Sequence, residues 1–276
     1  MSSPDRYAVI GHPVGHTRSP FIHERFAAQT AQSMVYSTID APPQDLAATV
    51  RRFFAAGGKG LNVTVPHKEA ALELVEELTP RAQRAGAVNT LALRKGVAGI
   101  SLIGDNTDGA GLARDLLNNH HITIAGRRVL LLGAGGAARS LAVALQWAGV
   151  PEVTVSSRRP KDAKYAWGEG LDSRFLGWRS PEERDTLREA TVVVNCTPLA
   201  ADELPIEVER IAPAAFVVDL SYGPELTPWV KAARAAGLEA VDGLGLLVHQ
   251  ARRALTLWLG REVPLEPLAT AVGWPR

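Results

Sequence analysis

Two short polar side chains and a lysine lie close together at the end of a strand-like run, in the stretch GLNVTVPHK. Apolar residues alternate with Asn62 and Thr64 over residues 60–65, which predicts a strand that Pro66 stops. Side chains alternate along a strand, so Asn62 and Thr64 share one face, and Lys68 follows beyond the turn. Such groups pair with substrate hydroxyls or carboxylates, and a lysine can donate a proton. The cluster is either a solvated turn or a set of groups directed at a substrate.

A second chemical pattern is the glycine-rich stretch LLLGAGGAARS, between an apolar strand and an apolar helix. Gly133, Gly135 and Ala138 match the G-x-G-x-x-G/A pattern of dinucleotide-binding proteins. Gly133 permits the tight turn, Gly135 lets the backbone approach a pyrophosphate, and Ala138 lets the helix pack closely on the strand. Free N–H groups at the helix N-terminus favour the anion. We predict a nucleotide site, the alternative being a turn without a ligand.

The strand after the glycine-rich helix is followed by basic residues. Ser157, Arg158 and Arg159 stand where an NAD site carries a carboxylate for the ribose hydroxyls. No Asp or Glu occupies this strand end, and the arginines suit a 2′-phosphate. One charge-assisted contact changes affinity by about 10- to 150-fold, so the sequence favours NADP. The alternative is that the arginines only cap a solvated turn, with Asp162 close by.

The seven histidines do not form a metal-binding pattern. His12 and His16 are four residues apart, but a proline and a glycine between them argue against a helix. His120 and His121 lie in a loop-like NNHH stretch, and the sequence has neither an H-E-x-x-H motif nor a cysteine cluster. We predict no metal site, and we interpret Cys196, at the end of an apolar strand, as a structural thiol.

Composition limits the classes of protein that this chain can represent. Its 276 residues are 46% hydrophobic and 21% charged, with a formal net charge of +1. That balance gives no field favouring nucleic acid or a membrane surface. No apolar run approaches the roughly 20 residues of a membrane span, and the N-terminal stretch lacks a secretory signal pattern. We therefore expect a cytoplasmic protein that binds neither nucleic acid nor a membrane.

Strand-like runs alternate with helical patterns along the chain, which predicts an α/β architecture with largely parallel sheets. An amphipathic helix is expected from about Glu69, and another over residues 244–259 with a stripe of apolar residues at helical spacing. The predicted strands are residues 7–10, 35–39, 60–65, 90–93, 129–132, 153–156, 192–195 and 216–220.

The chain is expected to form two domains, because a new strand–turn–helix unit begins after Asp108. We assign residues 108–241 to a dinucleotide-binding domain of the Rossmann type. Residues 1–107 and 242–276 are assigned to a substrate domain, to which the last helices return.

Several candidate residues also have ordinary structural interpretations. Taken alone, Lys68 is typical of an exposed lysine at a helix start, and Asp108 of an N-cap for the following helix. Ser19 before Pro20 is typical of an N-cap with proline at the first helical position. Gln250 could lie on the outer face of its helix.

The ordered set of motifs resembles the shikimate dehydrogenase family over nearly the whole chain. The stretches are GHTRSPFIH, NVTVPHK, GAVNT, GDNTDG, GAGGAAR and DGLGLLVHQA. The resemblance implies a substrate domain, an inserted NADP-binding Rossmann domain and a C-terminal helical return. It also implies the reduction of 3-dehydroshikimate to shikimate with NADPH, in aromatic amino-acid biosynthesis.

The resemblance also implies roles for individual residues. Lys68 corresponds to the family's catalytic lysine and Asp108 to its partner, and the division of proton transfer between them stays open. The residues implied to bind substrate are Thr17, Ser19, Asn62, Thr64, Asn89, Thr107, Tyr222 and Gln250. The residues implied to contact NADP are Gly133, Gly135, Gly136, Ala137, Ser157, Arg158, Arg159, Thr197, Leu220, Gly243 and Leu246.

Some positions depart from the family pattern. Thr17 stands where serine is commoner, which keeps the hydroxyl but adds a methyl group. Ser157 and Arg159 replace the usual Asn and Thr beside the adenosine ribose, and Leu246 replaces a methionine near the nicotinamide. The stretch NCTPLAADELP lacks the glycine that usually follows TPL.

Three alternatives to this assignment remain. One is a quinate or dual quinate/shikimate dehydrogenase, although the basic SSRRPK stretch argues against the NAD preference common there. Another is a paralogue with a different substrate, which the Thr17 change leaves open. The third is an NADP-binding sensor that has lost catalysis, against which the joint presence of Lys68, Asp108, Asn62 and Asn89 argues.

Overall fold

The computed structural model describes residues 3–15, 17–96, 99–167, 170–199, 203 and 206–274. His16 and most of the stretch that follows Leu199, both considered above, lie outside the described residues. The chain forms two compact units. The first runs to Gly111 and resumes at Val248, and the second spans Leu112–Leu247. Both dividing points fall within helices, a few residues after the boundaries expected from the sequence.

The first unit contains a mixed six-stranded sheet. Its strands are β1 (Asp5–Gly11), β2 (Met34–Asp40), β3 (Gly58–Val63), β4 (Glu77–Leu78), β5 (Thr90–Gly96) and β6 (Gly99–Asp105). They lie in the order β2-β1-β3-β5-β6-β4. Strand β5 runs antiparallel to both of its neighbours, while the other pairs are parallel. The C-terminal end of β3 therefore lies beside the start of β5.

The second unit contains a wholly parallel six-stranded sheet. Its strands are β7 (Val129–Leu132), β8 (Val153–Ser157), β9 (Ser173–Gly177), β10 (Val192–Asn195), β11 (Phe216–Asp219) and β12 (Glu239–Val241). They lie in the order β12-β11-β10-β7-β8-β9. Strands β7 and β10 are buried throughout, since apolar clusters cover both faces of the sheet. The predicted α/β class is confirmed.

Ten α-helices are assigned within the described part of the chain, with 3-10 turns at Pro43–Asp45, Ala70–Leu74 and Val208–Arg210. The helices are α1 (Ser19–Thr30), α2 (Leu46–Ala55), α3 (Pro80–Ala85), α4 (Asp108–Asn119), α5 (Gly136–Trp147), α6 (Pro160–Trp167), α7 (Pro181–Glu189), α8 (Pro228–Ala235), α9 (Leu244–Leu259) and α10 (Glu266–Val272). The bounds predicted for α9 are confirmed.

The helix expected from about Glu69 is wrong. The segment forms only the 3-10 turn Ala70–Leu74, after which Val75 is extended and β4 begins. Strand β4 pairs with β6, and the Glu76 N–H bonds the Leu102 carbonyl at 3.0 Å. Pairing with β6 thus overrides the helical pattern of EAALELVEEL, and β6 itself was not among the predicted strands, nor were β4, β9 and β12.

His23 is an uncharged histidine inside the first unit. Its side chain on α1 has no exposed surface, and its ring stacks on Tyr36 with the centroids 3.9 Å apart. Its Nδ1 lies 2.7 Å from the Ser19 carbonyl, which can only accept, so Nδ1 carries the proton. Burial lowers the pKa of His23 to about 4, against the opposing effect of the Ser19 bond.

We expect His23 to make the stability of the protein pH-dependent between about 6.5, the ordinary histidine pKa, and about 4. In that window the unfolded histidine binds a proton and the folded one does not, so stability falls as pH falls, by about 3 kcal/mol in all. Replacing His23 with Gln should remove this part of the slope. Urea unfolding at a series of pH values measures it.

The control is His121→Asn, because His121 is exposed and has a positive φ of 54°, which Asn tolerates. This variant should keep the wild-type slope. Equal slopes for wild type and His23→Gln would contradict the assignment.

Candidate active site

Lys68 is held in a turn that follows β3. The His67 N–H bonds the Thr64 carbonyl at 2.9 Å, and the Lys68 carbonyl accepts from the Val88 N–H at 2.7 Å. The buried His67 ring donates from Nε2 to the Ala41 carbonyl at 2.7 Å. His67, whose role the sequence left open, therefore fixes the backbone on which Lys68 stands.

The Lys68 side chain forms an ion pair with Asp108. Its Nζ lies 2.6 Å from Asp108 Oδ2, and the two side chains are 18% and 10% exposed. The other oxygen, Oδ1, accepts from Asn89 Nδ2 at 2.7 Å. The interpretation of Lys68 as an exposed surface lysine is therefore wrong. A charged amine at the edge of solvent, held by a fixed carboxylate, can donate a proton to a bound oxygen.

Asn89 connects Asp108 to the strands behind it. Its Oδ1 accepts from the Thr107 N–H at 2.9 Å and from the Thr90 hydroxyl at 2.9 Å. Its Nδ2 also reaches the Thr107 hydroxyl at 3.0 Å. Thr90 and Thr107 have no exposed surface. Nearly all of the hydrogen-bonding capacity of Asn89 is therefore used to hold Asp108 and the start of α4.

Asn62 is tied into the same network. Its Oδ1 accepts from the Tyr36 hydroxyl at 2.8 Å, and its Nδ2 donates to the Asn89 carbonyl at 3.2 Å and the Thr90 hydroxyl at 3.1 Å. Thr64, half-buried, directly follows the end of β3, whereas the predicted strand ran on to Val65. The solvated-turn interpretation of this segment is wrong for Asn62.

Thr17 and Ser19 bring two hydroxyls together at the start of α1. The Thr17 hydroxyl donates to Ser19 Oγ at 3.1 Å, and the Ser19 N–H reaches Thr17 Oγ1 at 3.3 Å. Ser19 is the first helical residue rather than the cap, and Pro20 follows it. The predicted N-cap is wrong because Arg18, whose φ and ψ are nearly helical, occupies that position without a side-chain bond.

Two further substrate candidates lie on different units. Gln250 is buried on α9, in the part that belongs to the first unit, so the outer-face alternative is wrong. Tyr222 is half-buried and follows β11 in the second unit.

Asp105 and Asn106 support the site, although neither was among the candidates predicted from the sequence. Asp105 accepts two bonds from Arg81, at 2.5 and 2.6 Å, and one from the Thr79 hydroxyl at 2.6 Å. Burial raises the pKa of the Asp105 carboxyl, but the bonds and charge of Arg81 outweigh it and hold the pKa below its ordinary value. The signal was present in the quoted stretch GDNTDG.

Asn106 fixes the start of α4. Its side-chain Nδ2 donates to the Ala87 carbonyl at 2.9 Å, and its Oδ1 lies 3.3 Å from the Asp108 N–H. Asp108 is itself the first residue of α4. The predicted N-cap role of Asp108 is therefore wrong: Asn106 accepts from the helix start, which leaves the Asp108 carboxylate for Lys68 and Asn89.

The glycine-rich turn lies between β7 and α5. Gly133 has a φ of +101°, and a Cβ there would come within 2.7 Å of Thr197 Cγ2. Gly135 is the N-cap of α5 and has open space where a Cβ would stand. Ala138 is fully buried in the core of this unit. The first turn of α5, including Gly136 and Ala137, thus presents backbone N–H groups to an open side.

A cavity of about 470 Å³ opens beside this turn. Its wall includes Ser157 at the end of β8, Arg158 and Arg159 after it, and Trp178 after β9. The Ser157 hydroxyl is buried and has no hydrogen-bond partner among the described residues. Arg159 forms an exposed contact with Asp162 at 3.7 Å. An anion-binding helix start, two arginines and an unpaired buried hydroxyl fit the phosphate and ribose groups of NADP.

The loops after β10 and β11 are held by a pair of buried polar residues. Asn195 Oδ1 accepts from the Thr197 N–H at 3.0 Å and its hydroxyl at 2.8 Å, and Asn195 Nδ2 donates to Asp219 at 3.2 Å. Asp219 also accepts from Thr227 Oγ1 at 2.7 Å and from the Ser221 N–H at 3.0 Å. Burial raises the pKa of Asp219 against these bonds. Sequence reasoning missed both residues.

The remaining candidates for contact with NADP lie after β11 and β12. Gly243 lies against the backbone of Leu220, where a Cβ would overlap the Leu220 carbonyl, and its N–H bonds the Ser221 carbonyl at 2.9 Å. Leu246, half-buried near the start of α9, packs on the core of the second unit. Only glycine fits at position 243 without moving the loop.

Two further observations concern classes of function. Within the ranges that the structure describes, no group of His, Cys, Asp and Glu is arranged to hold a metal ion. His12, considered above with His16, instead contacts the Asp40 carboxylate at 2.8 Å. Over the same residues, no helix is both long and apolar enough to cross a membrane. Burial raises the pKa of the Cys196 thiol, in line with a structural residue.

A parallel sheet with a glycine-rich turn, joined in one chain to a unit that holds a Lys–Asp pair, is typical of dinucleotide-dependent dehydrogenases. Residues 9–91 match the family model described as the shikimate dehydrogenase substrate binding domain. Residues 243–272 match that of the shikimate 5′-dehydrogenase C-terminal domain.

Two curated relatives are named shikimate dehydrogenase (NADP(+)). That of Alkalilimnicola ehrlichii is 44% identical over 97% of this chain and 98% of its own. That of Aeromonas hydrophila is 46% identical over 93% of each. The crystal structure of shikimate 5-dehydrogenase from Thermus thermophilus in complex with NADP(H) and shikimate is 34% identical, with a TM-score of 0.84 over 98% of each chain. The chain belongs to the shikimate dehydrogenase family.

Replacing Arg81 with Met should destabilise the protein by about 3 kcal/mol, because it leaves the buried Asp105 carboxylate without its cation. Chemical unfolding measures the loss. Arg94→Met is the matched control, since the Arg94–Glu77 pair is exposed and should contribute little. Equal losses for the two variants would show that Arg81 is no more than a surface cation.

Proposed function

We propose that this protein catalyses the reversible reduction of 3-dehydroshikimate to shikimate with NADPH, in aromatic amino-acid biosynthesis. The observation that carries the proposal is the Lys68–Asp108 pair, with both Asp108 oxygens engaged, by Lys68 at 2.6 Å and Asn89 at 2.7 Å. Membership of the family supports the substrate. We further propose that the protein acts in the cytoplasm as a monomer or homodimer.

In this proposal Lys68 is the proton donor in the reductive direction. Its amine has three protons, of which one is directed at Asp108, so others remain for the substrate carbonyl oxygen. Asp108 balances the charge and fixes the amine, because its oxygens already accept from Lys68 and Asn89. When bound, NADPH supplies the hydride. In the oxidative direction the same amine, once deprotonated, takes the proton from the hydroxyl.

The proposed substrate contacts divide into residues that position the site and residues that contact the substrate directly. Asn89 and Thr107 bond each other, and Asn89 also bonds Asp108, so we assign both mainly a positioning role. Uncharged polar side chains suit direct contact with substrate hydroxyls and carboxylate. We assign direct contact with the substrate to Thr17, Ser19, Asn62, Thr64, Tyr222 and Gln250.

The proposed cofactor is NADP, bound by the domain of residues 108–241, with the substrate domain formed by residues 1–107 and 242–276. The start of α5 receives the pyrophosphate and Arg158 the 2′-phosphate. The proposed NADP contacts are Gly133, Gly135, Gly136, Ala137, Ser157, Arg158, Arg159, Thr197, Leu220, Gly243 and Leu246.

Lys68→Met should lower kcat for 3-dehydroshikimate reduction by about 10²- to 10⁴-fold, the range for loss of a general acid. The substitution keeps the side-chain length, so NADPH binding should be retained. Initial rates with NADPH and a separate titration of NADPH binding measure the two effects. Lys59→Met, at an exposed position on β3, is the control and should retain full activity.

Near-normal turnover in a folded Lys68→Met protein would remove Lys68 from the mechanism. Turnover of quinate but not of shikimate by wild type would replace the proposed substrate by the quinate alternative.

Arg158→Ala should weaken NADP⁺ binding by about 10- to 150-fold, because one charge-assisted contact with the 2′-phosphate is lost. NAD⁺, which lacks that phosphate, should bind as before. Calorimetric titration with the two dinucleotides measures the ratio. Equal weakening of both would assign Arg158 to the general shape of the pocket rather than to the phosphate.

A further inference from the structure

Trp178 lines the nucleotide cavity, although no sequence pattern predicted a role for it. It directly follows β9, whose Gly177 pairs with Ser157 at the end of β8. The Trp178 N–H donates to the Ser157 carbonyl at 3.1 Å, which continues the pairing of the two strands by one residue. Trp178 and Arg158 therefore stand side by side at the carboxyl end of the sheet, where α/β proteins bind nucleotides.

The ring of Trp178 contacts Arg158. The Arg158 guanidinium carbon lies 5.6 Å from the ring centroid, which is within cation–π range. Arg158 is exposed, and an exposed arginine otherwise loses side-chain entropy when a ligand fixes it. Arg159, by contrast, is directed to Asp162. The two arginines thus differ, and Trp178 orders the one proposed to face the 2′-phosphate.

Two buried polar atoms of residues that line the cavity lack partners among the described residues. They are the Ser157 hydroxyl and the Trp178 indole N–H, and both are buried. Buried donors in folded proteins are normally paired. Both belong to residues that line the cavity beside Arg158.

We propose that Trp178 is a specificity-determining residue that orders Arg158 for the 2′-phosphate of an adenosine ligand and so favours NADP over NAD. The inference rests on the proposed use of NADP. It extends the set of residues that determine the cofactor preference from the end of β8 to the residue that follows the neighbouring strand, β9.

The test is calorimetric titration of the wild-type protein and its variants with NADP⁺ and NAD⁺, without substrate. Trp178→Leu should weaken NADP⁺ binding by about 2- to 5-fold, as expected for an exposed cation–π contact. NAD⁺ binding should be unchanged. Trp178→Phe, which keeps an aromatic face, should restore most of the preference. Trp147→Leu is the matched control, since Trp147 is exposed on α5 and does not line the cavity.

A double-mutant cycle separates ordering of Arg158 from simple packing. In the Arg158→Ala background, Trp178→Leu should have no further effect on NADP⁺ binding, because the group that the ring orders is gone. Equal weakening of NADP⁺ and NAD⁺ by Trp178→Leu would overturn the proposal. The proposal would also be overturned if Trp178→Leu weakened NADP⁺ binding as much in the Arg158→Ala background as in wild type.

A second measurement serves if Trp178→Leu does not fold. Adenosine 2′-monophosphate should change the tryptophan fluorescence of wild type more than that of Trp178→Phe, and adenosine 5′-monophosphate should not distinguish them. No difference between the two proteins would overturn the proposal.

Wild type that fails to bind NADP⁺ would overturn both this inference and the proposed cofactor. NADP⁺ binding with the expected Trp178 effect, but no turnover of 3-dehydroshikimate, would overturn only the proposed substrate.

Discussion

The ion pair between Lys68 and Asp108 is the contact on which the arrangement of the first unit depends. Two charges largely withdrawn from water need close partners, and removing either partner would leave the other unpaired. Asp108 meets that need with Lys68 on one oxygen and Asn89 on the other, and it lies at the start of α4, where the helix dipole favours a carboxylate. Three segments must therefore meet: the turn after β3, the residue before β5 and the start of α4. The sheet order, with β3 beside β5, brings them together.

The same residue types that suit substrate binding also build the support behind the site. Asn62 and Asn89 are amides, as a site for a hydroxyl-rich molecule requires, yet most of their donors and acceptors are engaged inside the protein. Their buried positions make those bonds necessary, because an unpaired buried amide is costly. Residue type alone therefore does not separate a contact from its support, and the hydrogen-bond partners do.

Sequence patterns predicted most reliably the elements whose burial is complete. The bounds of β7 and β10 match the predicted runs because apolar residues cover both faces of a parallel sheet. The prediction of a helix from Glu69 was wrong because β4 forms by pairing with β6, and the local sequence of either strand does not show that pairing. The Lys68–Asp108 pair joins residues 40 positions apart. It was predicted through the family resemblance, whereas the roles of Asn106, Asn195 and Asp219 depend on long-range bonds that no local pattern encodes.

In both units, buried polar side chains fix the loops that follow the strands. Loops that follow strands carry the proposed functional groups, and loops have few apolar contacts to fix them. In the first unit, Asp105 and Asn106 hold the segment before α4, and in the second, Asn195 and Asp219 hold the loops after β10 and β11. Each is a short polar side chain at a strand end or just after it, so it reaches the backbone of the next loop without slack. Position is thus fixed by directional bonds, which set atoms to within a few tenths of an ångström, where apolar packing would set only proximity.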